Sequence, residues 1–273
     1  MNPDHFKDKV IVITGASSGI GLASARLFGS FGANVVMAAR SYDKMLELAP
    51  SVNGNPEKVL CVKTDVSVEE DCRNLIRLAV EKFGGIDILV NNAGISMRAL
   101  FKDLDLKVIK SLMDVNFWGT VYCTKFALPH LLASKGSVVG VISIAGYSAL
   151  PARTGYSASK YAIRGFLDTI RIEHLRDGLH VMVFAPGYTD SNVRKVALTA
   201  DGSRQGETPL QEDKLMSAEE CAQHLAKGLY KRKSQLILTG LGKATVWAHR
   251  LFPRLTDRLT YRYIARETGS PFK

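Results

Sequence analysis

The chain has 273 residues, of which 46% are hydrophobic and 23% charged, and its formal net charge is +10. It contains no run of eighteen or more apolar residues, so we predict no membrane-spanning helix. The short polar stretch before residue 10 predicts no secretory signal. Four scattered cysteines, without a C-x-x-C pair, predict the reduced thiols of a cytoplasmic protein and no metal site.

Short β-branched runs alternate with helical patterns along most of the chain, which is typical of βαβ units and a parallel sheet. Several runs are apolar throughout, as strands buried on both faces require. We predict one doubly wound α/β domain over residues 1–273, with its core at 8–240. The predicted strands are Val10–Thr14, Asn34–Ala39, Lys58–Lys63, Ile86–Val90, Ser137–Ser143, His180–Ala185 and Gln235–Leu238. The predicted helices are Ile20–Phe31, Val68–Phe83, Leu104–Leu132, Tyr156–Leu175 and Ala218–Lys231.

A glycine-rich turn follows the first predicted strand. Gly15 lets the chain leave the strand sharply, Gly19 lets the backbone approach a pyrophosphate, and Gly21 lets the next helix pack on the sheet. The amides and dipole of that helix then favour phosphate. We therefore predict a dinucleotide site. Its first contacts are Gly15, Ser17, Ser18, Gly19, Ile20 and Gly21.

The end of the second predicted strand indicates which dinucleotide binds. An NAD site needs an acidic side chain here to accept a hydrogen bond from the ribose 2′-hydroxyl. The chain instead has Arg40 and Ser41, and the first carboxylate is Asp43. The guanidinium of Arg40 offers a charged, forked donor for a 2′-phosphate. We therefore predict NADP(H) as cofactor.

The next two strands end in further candidate cofactor contacts. Asp65, followed by Val66, could accept from the adenine amino group. Asn92, Ala93 and Gly94 place an amide and small residues beside the cofactor. Ligands of open parallel sheets bind outside the carboxyl ends of the strands, which is where all these residues fall.

The candidate reaction centre lies later in the chain. Tyr156 and Lys160 are four residues apart, and so lie on one helix face. A free phenol titrates near pH ~10, and a nearby ammonium lowers that pKa. Lys160 could also donate to the ribose of the cofactor, and Ser143 could donate to a substrate carbonyl. We predict that Asn116 distorts a long helix and exposes a carbonyl that holds a water for proton relay.

These motifs together resemble the short-chain dehydrogenase/reductase family over residues 8–240. The resemblance implies a Rossmann fold and a catalytic tetrad of Asn116, Ser143, Tyr156 and Lys160, in which Tyr156 donates the proton during reduction. It also implies that the backbone after Pro186 and Gly187 contacts the nicotinamide. Ser191 stands where the family often has a Thr that reaches the pyrophosphate.

A narrower resemblance lies beyond these motifs. The segment 197–204 and the basic C-terminal extension look like the dehydrogenase/reductase 7B-like branch. Relatives of that branch act on lipid or steroid carbonyls, including 3-keto sphingoid bases, acyl-dihydroxyacetone phosphate and hydroxysteroids. The polar, irregular stretch from Tyr188 to Met216 is predicted to be a substrate lid, because long loops in compact domains are usually functional.

The C-terminal extension, about 242–273, carries most of the charge excess. From Lys231 to Lys273, ten Lys or Arg side chains face only Asp257 and Glu267. Arginines at four-residue intervals adjoin a ridge of Leu and Tyr, and Pro253 should divide the segment into a short and a longer helix. Such a helix suits an anionic bilayer. The alternative is a helix whose Leu ridge packs on the body or on a partner subunit. Nucleic-acid binding is disfavoured, since no binding module accompanies the charge.

We predict from these features an NADPH-dependent enzyme that reduces a ketone to an alcohol, with a small-molecule and apolar carbonyl substrate. The expected assembly is a homodimer or homotetramer, cytoplasmic or peripheral at an anionic membrane. One alternative is a soluble reductase of small carbonyls or 3-oxoacyl thioesters. A second is a non-catalytic NADP-binding sensor or scaffold, which would have no need of the hydroxyls of Tyr156 and Ser143.

Overall fold

A computed structural model of the chain describes residues 1–187, 189, 196–206, 215–266 and 269–272. Seven strands within this part of the chain form one parallel sheet in the order β3-β2-β1-β4-β5-β6-β7. The order reverses between β1 and β4, which creates the crevice in which doubly wound sheets bind ligands. The strands are β1 Val10–Thr14, β2 Asn34–Ala39, β3 Val59–Lys63, β4 Ile88–Asn91, β5 Ser137–Val141, β6 His180–Ala185 and β7 Gln235–Ile237. Every predicted strand is present, and the predicted α/β class is confirmed.

Helices cover both faces of the sheet. They are α1 Gly19–Ser30, α2 Tyr42–Leu48, α3 Glu69–Phe83, α4 Leu106–Leu112, α5 Gly119–Ala133, α6 Thr154–Glu173, α7 Ala218–Tyr230, α8 Gly240–Leu251 and α9 Pro253–Ala265. The predicted long helix Leu104–Leu132 corresponds to α4, a π-helical turn at Met113–Trp118 and α5, and the turn lies at the distortion predicted for Asn116. Helix α2 was not predicted, since its seven residues are too short to show a clear apolar period.

Alternate side chains of β1 enter two separate parts of the core. Ile11 and Ile13 pack with Phe28 of α1 and Leu225 of α7 on one face of the sheet. Val10 and Val12 belong to a second cluster on the other face, together with side chains of α3, α5 and α6. Strands buried on both sides in this way are apolar throughout, which is why the strand pattern was readable from the sequence.

The described part of the predicted lid packs beside the loop after β4. Leu198 N donates to Ser96 O at 2.8 Å, and Arg98 N donates to Leu198 O at 2.8 Å. Asp105 N, just before α4, donates to Ala200 O at 2.9 Å. Residues 188, 190–195 and 207–214 of the predicted lid lie outside the described residues.

The C-terminal helices divide at Pro253, as predicted, but they have nearly equal lengths. The Leu ridge does not pack on the body of the protein. Leu251, Leu255 and Leu259 are 57%, 55% and 54% exposed, whereas Thr256 and Ile264 are 5% and 2% exposed. Helix α9 is therefore held through a different face, and its Leu ridge stays in contact with solvent. Within the described ranges, no helix has the length and hydropathy to cross a membrane.

Candidate active site

A cavity of about 580 Å³ lies at the carboxyl ends of the strands. It brings together residues that are far apart in sequence, from the glycine-rich turn to the Tyr and Lys of α6. The predicted site residues that line it are Gly15, Ser17, Ser18, Gly19, Ile20, Arg40, Ser41, Asp65, Val66, Asn92, Ala93, Gly94, Ser143, Tyr156, Lys160, Pro186 and Gly187. Gly21 and Asn116 do not line it, and Ser191 lies outside the described residues.

The glycine-rich turn has the backbone that close approach of a phosphate requires. Gly15 and Gly19 have φ of +67° and +52°, a left-handed conformation that side chains disfavour. Gly21 has a packing role instead, because a Cβ there would lie 2.3 Å from Gly15 O. The turn and the N-terminus of α1 therefore fit a pyrophosphate, and Gly21 allows the close packing that holds them together.

Thr14 ties the turn to the end of β4. Its Oγ1 accepts hydrogen bonds from Asn92 N and Ala93 N, both at 3.0 Å. In turn, the side-chain Nδ2 of Asn92 donates a hydrogen bond to Thr14 O at 2.9 Å. From the sequence, Thr14 was identified only as the last residue of the first predicted strand and was assigned no role in the site. Its position as the last residue of a buried strand, before a glycine, was the available signal.

The far end of the cavity carries positive charge. Arg40 is exposed and, within the described part of the chain, has no ion pair. Lys44, one turn further along α2, also lines the cavity and was missed because α2 was missed. Asp65 Oδ1 accepts from Ser67 N at 3.0 Å and Ser67 Oγ at 2.7 Å. These two bonds fix the carboxylate of Asp65 at the end of β3.

Tyr156 and Lys160 face one another one turn apart on α6. The Lys160 Nζ lies 5.7 Å from the centroid of the Tyr156 ring, and it donates to Val141 O at 2.9 Å. Lys160 is only 4% exposed. Burial disfavours the charged ammonium and lowers the pKa of Lys160 from 10.5 to about 8. A Cβ on Gly94 would lie 3.4 Å from Nζ, so the small residue there leaves room for the lysine head.

Ser143 caps a short 3₁₀ turn that begins just after β5. Its Oγ accepts from Ala145 N at 3.2 Å, which orients the hydroxyl and leaves its proton to be donated. Ser143 was predicted as the last residue of a strand, but β5 ends at Val141. Ser143 and Tyr156 both line the cavity.

Asn116 lies beneath the site in the π-helical turn. Its Oδ1 accepts from Ile95 N at 2.8 Å, and its Nδ2 donates to Ile95 O at 3.0 Å and to Ser159 Oγ at 2.9 Å. The predicted distortion of the helix is therefore present. The predicted exposure was wrong, because Asn116 is 0% exposed and its carbonyl accepts from Thr120 Oγ1 at 2.8 Å. Its side chain joins the loop after β4 to α6, which makes it a positioning residue in this structure.

The segment after β6 supplies another wall of the cavity, formed by Pro186, Gly187 and Thr189. Gly187 packs against Thr239, since a Cβ on the glycine would lie 2.8 Å from Thr239 Cγ2. Thr189 also lines the cavity, and its Oγ1 donates to Gly187 O at 3.3 Å. Thr189 was missed, although a hydroxyl two residues after Pro-Gly was a visible candidate.

The lining of the cavity also includes apolar and basic side chains. Ile95, Leu150 and Val196 form apolar walls, and Arg153 and Arg204 are added from two different segments. Arg153 Nη1 donates to Met97 O at 2.8 Å, which fixes its position. The two arginines were not predicted as site residues. Arg153 lies only three residues before Tyr156, whereas Arg204 reaches the cavity from a distant segment of the chain.

A family model described as short chain dehydrogenase matches residues 9–201. The chain belongs to the short-chain dehydrogenase/reductase family. Family member 7B of Rattus norvegicus is 34% identical over 274 residues, or 97% of this chain and 84% of its own length. The 11-beta-hydroxysteroid dehydrogenase-like 4A of Arabidopsis thaliana is 34% identical over 255 residues, 92% and 83% of the two chains. The predicted resemblance to the family, and to its 7B-like branch, is confirmed.

Solved structures of the short-chain dehydrogenase/reductase family show the same fold. An alcohol dehydrogenase from the archaeon Thermococcus sibiricus, complexed with 5-hydroxy-NADP, has a TM-score of 0.73 and 26% identity. The match covers 84% of this chain and 95% of that one. A family member from Burkholderia phymatum in complex with NAD has a TM-score of 0.81 and 22% identity, with 92% and 95% covered. The chain is thus an oxidoreductase of a family that acts on CH–OH and C=O groups with nicotinamide cofactors.

Proposed function

We propose that this protein reduces a ketone to an alcohol with NADPH, and that the ketone is apolar near its carbonyl. The observation that carries the proposal is that one cavity, of about 580 Å³, contains both the reacting side chains and the cofactor-binding residues. It is lined at one end by the hydroxyl-bearing Ser143 and Tyr156 with the buried Lys160, and at the other by the glycine-rich turn and Arg40. A protein that only bound the cofactor would need the glycine-rich turn and Arg40, but not the hydroxyls of Ser143 and Tyr156.

Each reacting side chain has a defined role in this proposal. Bound NADPH would supply the hydride. Ser143 donates a hydrogen bond to the substrate oxygen and holds it beside the phenol. Tyr156 donates its proton to the developing alkoxide, and the ammonium of Lys160 stabilises the phenolate that remains. Asn116 holds the loop after β4 in place and does not touch the substrate.

The preference for NADPH rests on charge. Arg40 and Lys44 both line the end of the cavity where the adenosine ribose of a dinucleotide would lie, and no carboxylate occupies the end of β2. Two cations favour a 2′-phosphate, whereas a ribose 2′-hydroxyl calls for an acidic acceptor.

The proposed substrate has an apolar body. Ile95, Leu150 and Val196 line the cavity beside the reacting hydroxyls and suit a lipid-like or steroid-like ketone. The 11-beta-hydroxysteroid dehydrogenase-like relatives of Arabidopsis thaliana agree with that class. A small carbonyl or a 3-oxoacyl thioester remains the alternative, and the two arginines at this end would suit the anionic part of such a thioester.

We also propose that α8 and α9 contact an anionic membrane surface from the cytoplasm. The exposed Leu ridge adjoins Arg254, Arg258 and Arg262, which are all exposed. A second copy on this ridge would bring two rows of arginines together, which like-charge repulsion disfavours. The expected homodimer or homotetramer is better served by α5, with the π-helical turn before it, and α6, where Trp118 of the turn and Tyr161 of α6 are 43% and 39% exposed.

Substitution of Tyr156 tests the reaction. Tyr156→Phe should retain NADPH binding and lower kcat by at least ~10²-fold, the usual effect of losing a general acid. The measurement is NADPH oxidation with a panel of long-chain, steroid and short-chain ketones. Tyr161→Phe, on the same helix but outside the cavity, is the matched control and should keep full activity. Wild-type turnover in Tyr156→Phe would contradict the role of Tyr156 as proton donor. Activity of the wild type on short-chain ketones alone would contradict the apolar substrate.

A further inference from the structure

A second cavity of about 240 Å³ lies between α7, β7 and the start of α8. None of the residues that the structure describes lines both this cavity and the candidate active site. Its floor consists of Leu236, Ile237 and Leu238, at the edge of the sheet. The volume is below the roughly 300–1,000 Å³ of drug-sized ligand pockets, so it suits a small group such as a phosphate. We call it the edge cavity.

The side chains around the edge cavity are strongly cationic. Four lysines line it, together with His224, and no Asp or Glu is among the described lining residues. The lysines are Lys227, Lys231, Lys233 and Lys243. All four are exposed, so each ammonium can stay hydrated while its aliphatic stem lies along the apolar floor. Four like charges around one small cavity repel one another unless an anion occupies it. Lysines bind phosphate as point charges, and a phosphate would offset this repulsion.

The edge cavity adjoins an apolar surface through α8. Lys243 is one turn before Trp247 on that helix, and Leu251 follows Trp247 one turn later. Trp247 and Leu251 are 67% and 57% exposed. A phosphate held by Lys243 therefore lies beside an exposed aromatic and aliphatic stripe. A free phosphate ion would make no use of that stripe, whereas a phospholipid has acyl chains to cover it.

We propose that the edge cavity binds the phosphate headgroup of an anionic phospholipid, while the stripe of Trp247 and Leu251 enters the membrane surface. The inference rests on the proposed membrane contact and adds to it a specific headgroup site. Arg250 lies two turns from Lys243 on the same side of α8 and extends the positive surface towards the bilayer.

The double variant Lys227→Gln/Lys231→Gln tests the site without altering the Trp247 stripe. It should bind vesicles of phosphatidylcholine doped with phosphatidic acid roughly thirty-fold more weakly than wild type, from the contribution of two basic residues at an anionic surface. Lys110→Gln/Lys125→Gln removes the same charge from exposed lysines on α4 and α5. It should weaken binding no more than about threefold, because charges far from the contact are screened. Vesicle cosedimentation measures all three proteins.

The outcomes distinguish a headgroup site from a diffuse charge effect and from a site for free phosphate. Equal losses in the two double variants would show a diffuse charge effect and overturn the site. Binding of inorganic phosphate that depends on Lys227 and Lys231, without vesicle binding, would overturn the lipid source. Reduction of a soluble ketone in the absence of vesicles should be unchanged in Lys227→Gln/Lys231→Gln. A wild-type protein that binds vesicles but reduces no ketone would refute the proposed function and leave the edge cavity standing.

Discussion

Single residues around the active-site cavity divide into those that can meet a ligand and those that hold others in place. Ser143 and Tyr156 line the cavity, whereas Asn116 is completely buried and uses its amide on Ile95 and Ser159. Gly21 shows the same division within the glycine-rich turn, since it packs against Gly15 and does not line the cavity. A motif match alone would give all of these residues a direct role in the site. Their contacts in the structure distinguish the residues that line the cavity from those that hold them in place.

Arg40 gives the sharpest prediction at this scale. Arg40→Ala should weaken NADPH binding roughly ten- to hundred-fold, the worth of a charge-assisted pair, and leave NADH binding unchanged. Titration of both cofactors against the cofactor-free protein measures the effect. Arg176→Ala, an exposed arginine that does not line the cavity, is the control and should alter neither affinity. Equal wild-type affinities for NADPH and NADH would show that Arg40 does not select the cofactor.

At the scale of elements, the helix before β5 is interrupted to serve the site. The π-helical turn Met113–Trp118 places Asn116 where its amide reaches the loop after β4, and α5 continues from Gly119. π-Helical turns are rare and occur mostly at functional sites. The two C-terminal helices are not interrupted to reach the active site. Helix α9 buries Thr256 and Ile264, and the Leu ridge of α8 and α9 stays exposed.

The exposed ridge of α9 should matter for membranes and little for folding. Leu255→Ser/Leu259→Ser should change the free energy of unfolding by less than about 0.5 kcal/mol, as surface substitutions usually do. It should weaken binding to anionic vesicles roughly thirty-fold. Burial of the remaining exposed surface of each leucine in the membrane could contribute about 1 kcal/mol to the binding free energy. Ile172→Ser/Leu175→Ser removes aliphatic side chains that are even more exposed, at the end of α6 and just beyond it, and should keep vesicle binding.

A different result would redirect the assignment of the ridge. If Leu255→Ser/Leu259→Ser lowered the unfolding temperature strongly or turned a dimer into a monomer in sedimentation, the ridge would be an internal or subunit contact. The membrane contact would then lose its apolar part, and only the charges would remain to support it.

At the scale of the whole molecule, one buried ammonium links function to stability. Lys160 has a pKa lowered to about 8 by burial, against 10.5 when exposed. Below pH 8 it is charged in both folded and unfolded chains, so folding carries the full desolvation cost. Between pH 8 and 10.5 the unfolded chain holds more protons than the folded one, and stability therefore rises with pH over this window. The charged form of this buried lysine therefore lowers the stability of the folded chain at neutral pH.

Lys160→Met should reveal that expense. The variant should lose turnover, yet the cofactor-free protein should be more stable than wild type at pH 7 by about 1–2 kcal/mol, because an apolar chain replaces a buried charge. The difference should narrow as pH rises from 8 towards 10. Urea unfolding at several pH values measures it, and Lys125→Met, at an exposed position, should show no such trend. A variant less stable than wild type at pH 7 would mean that the bond to Val141 outweighs the desolvation cost.

The features that the sequence alone determined are those that depend on near neighbours. Strand positions follow from apolar runs, the turn at Gly15 and Gly19 from glycines where φ must be positive, and the Tyr156–Lys160 pair from one turn of helix. The tertiary structure alone decided what depends on distant segments. It brought Arg204 to the active-site cavity, joined Asn116 to Ile95, buried Lys160, and enclosed the edge cavity between α7 and α8. Helical period and strand alternation are set by local backbone sterics, whereas burial and the pKa that follows from it exist only once distant side chains exclude water.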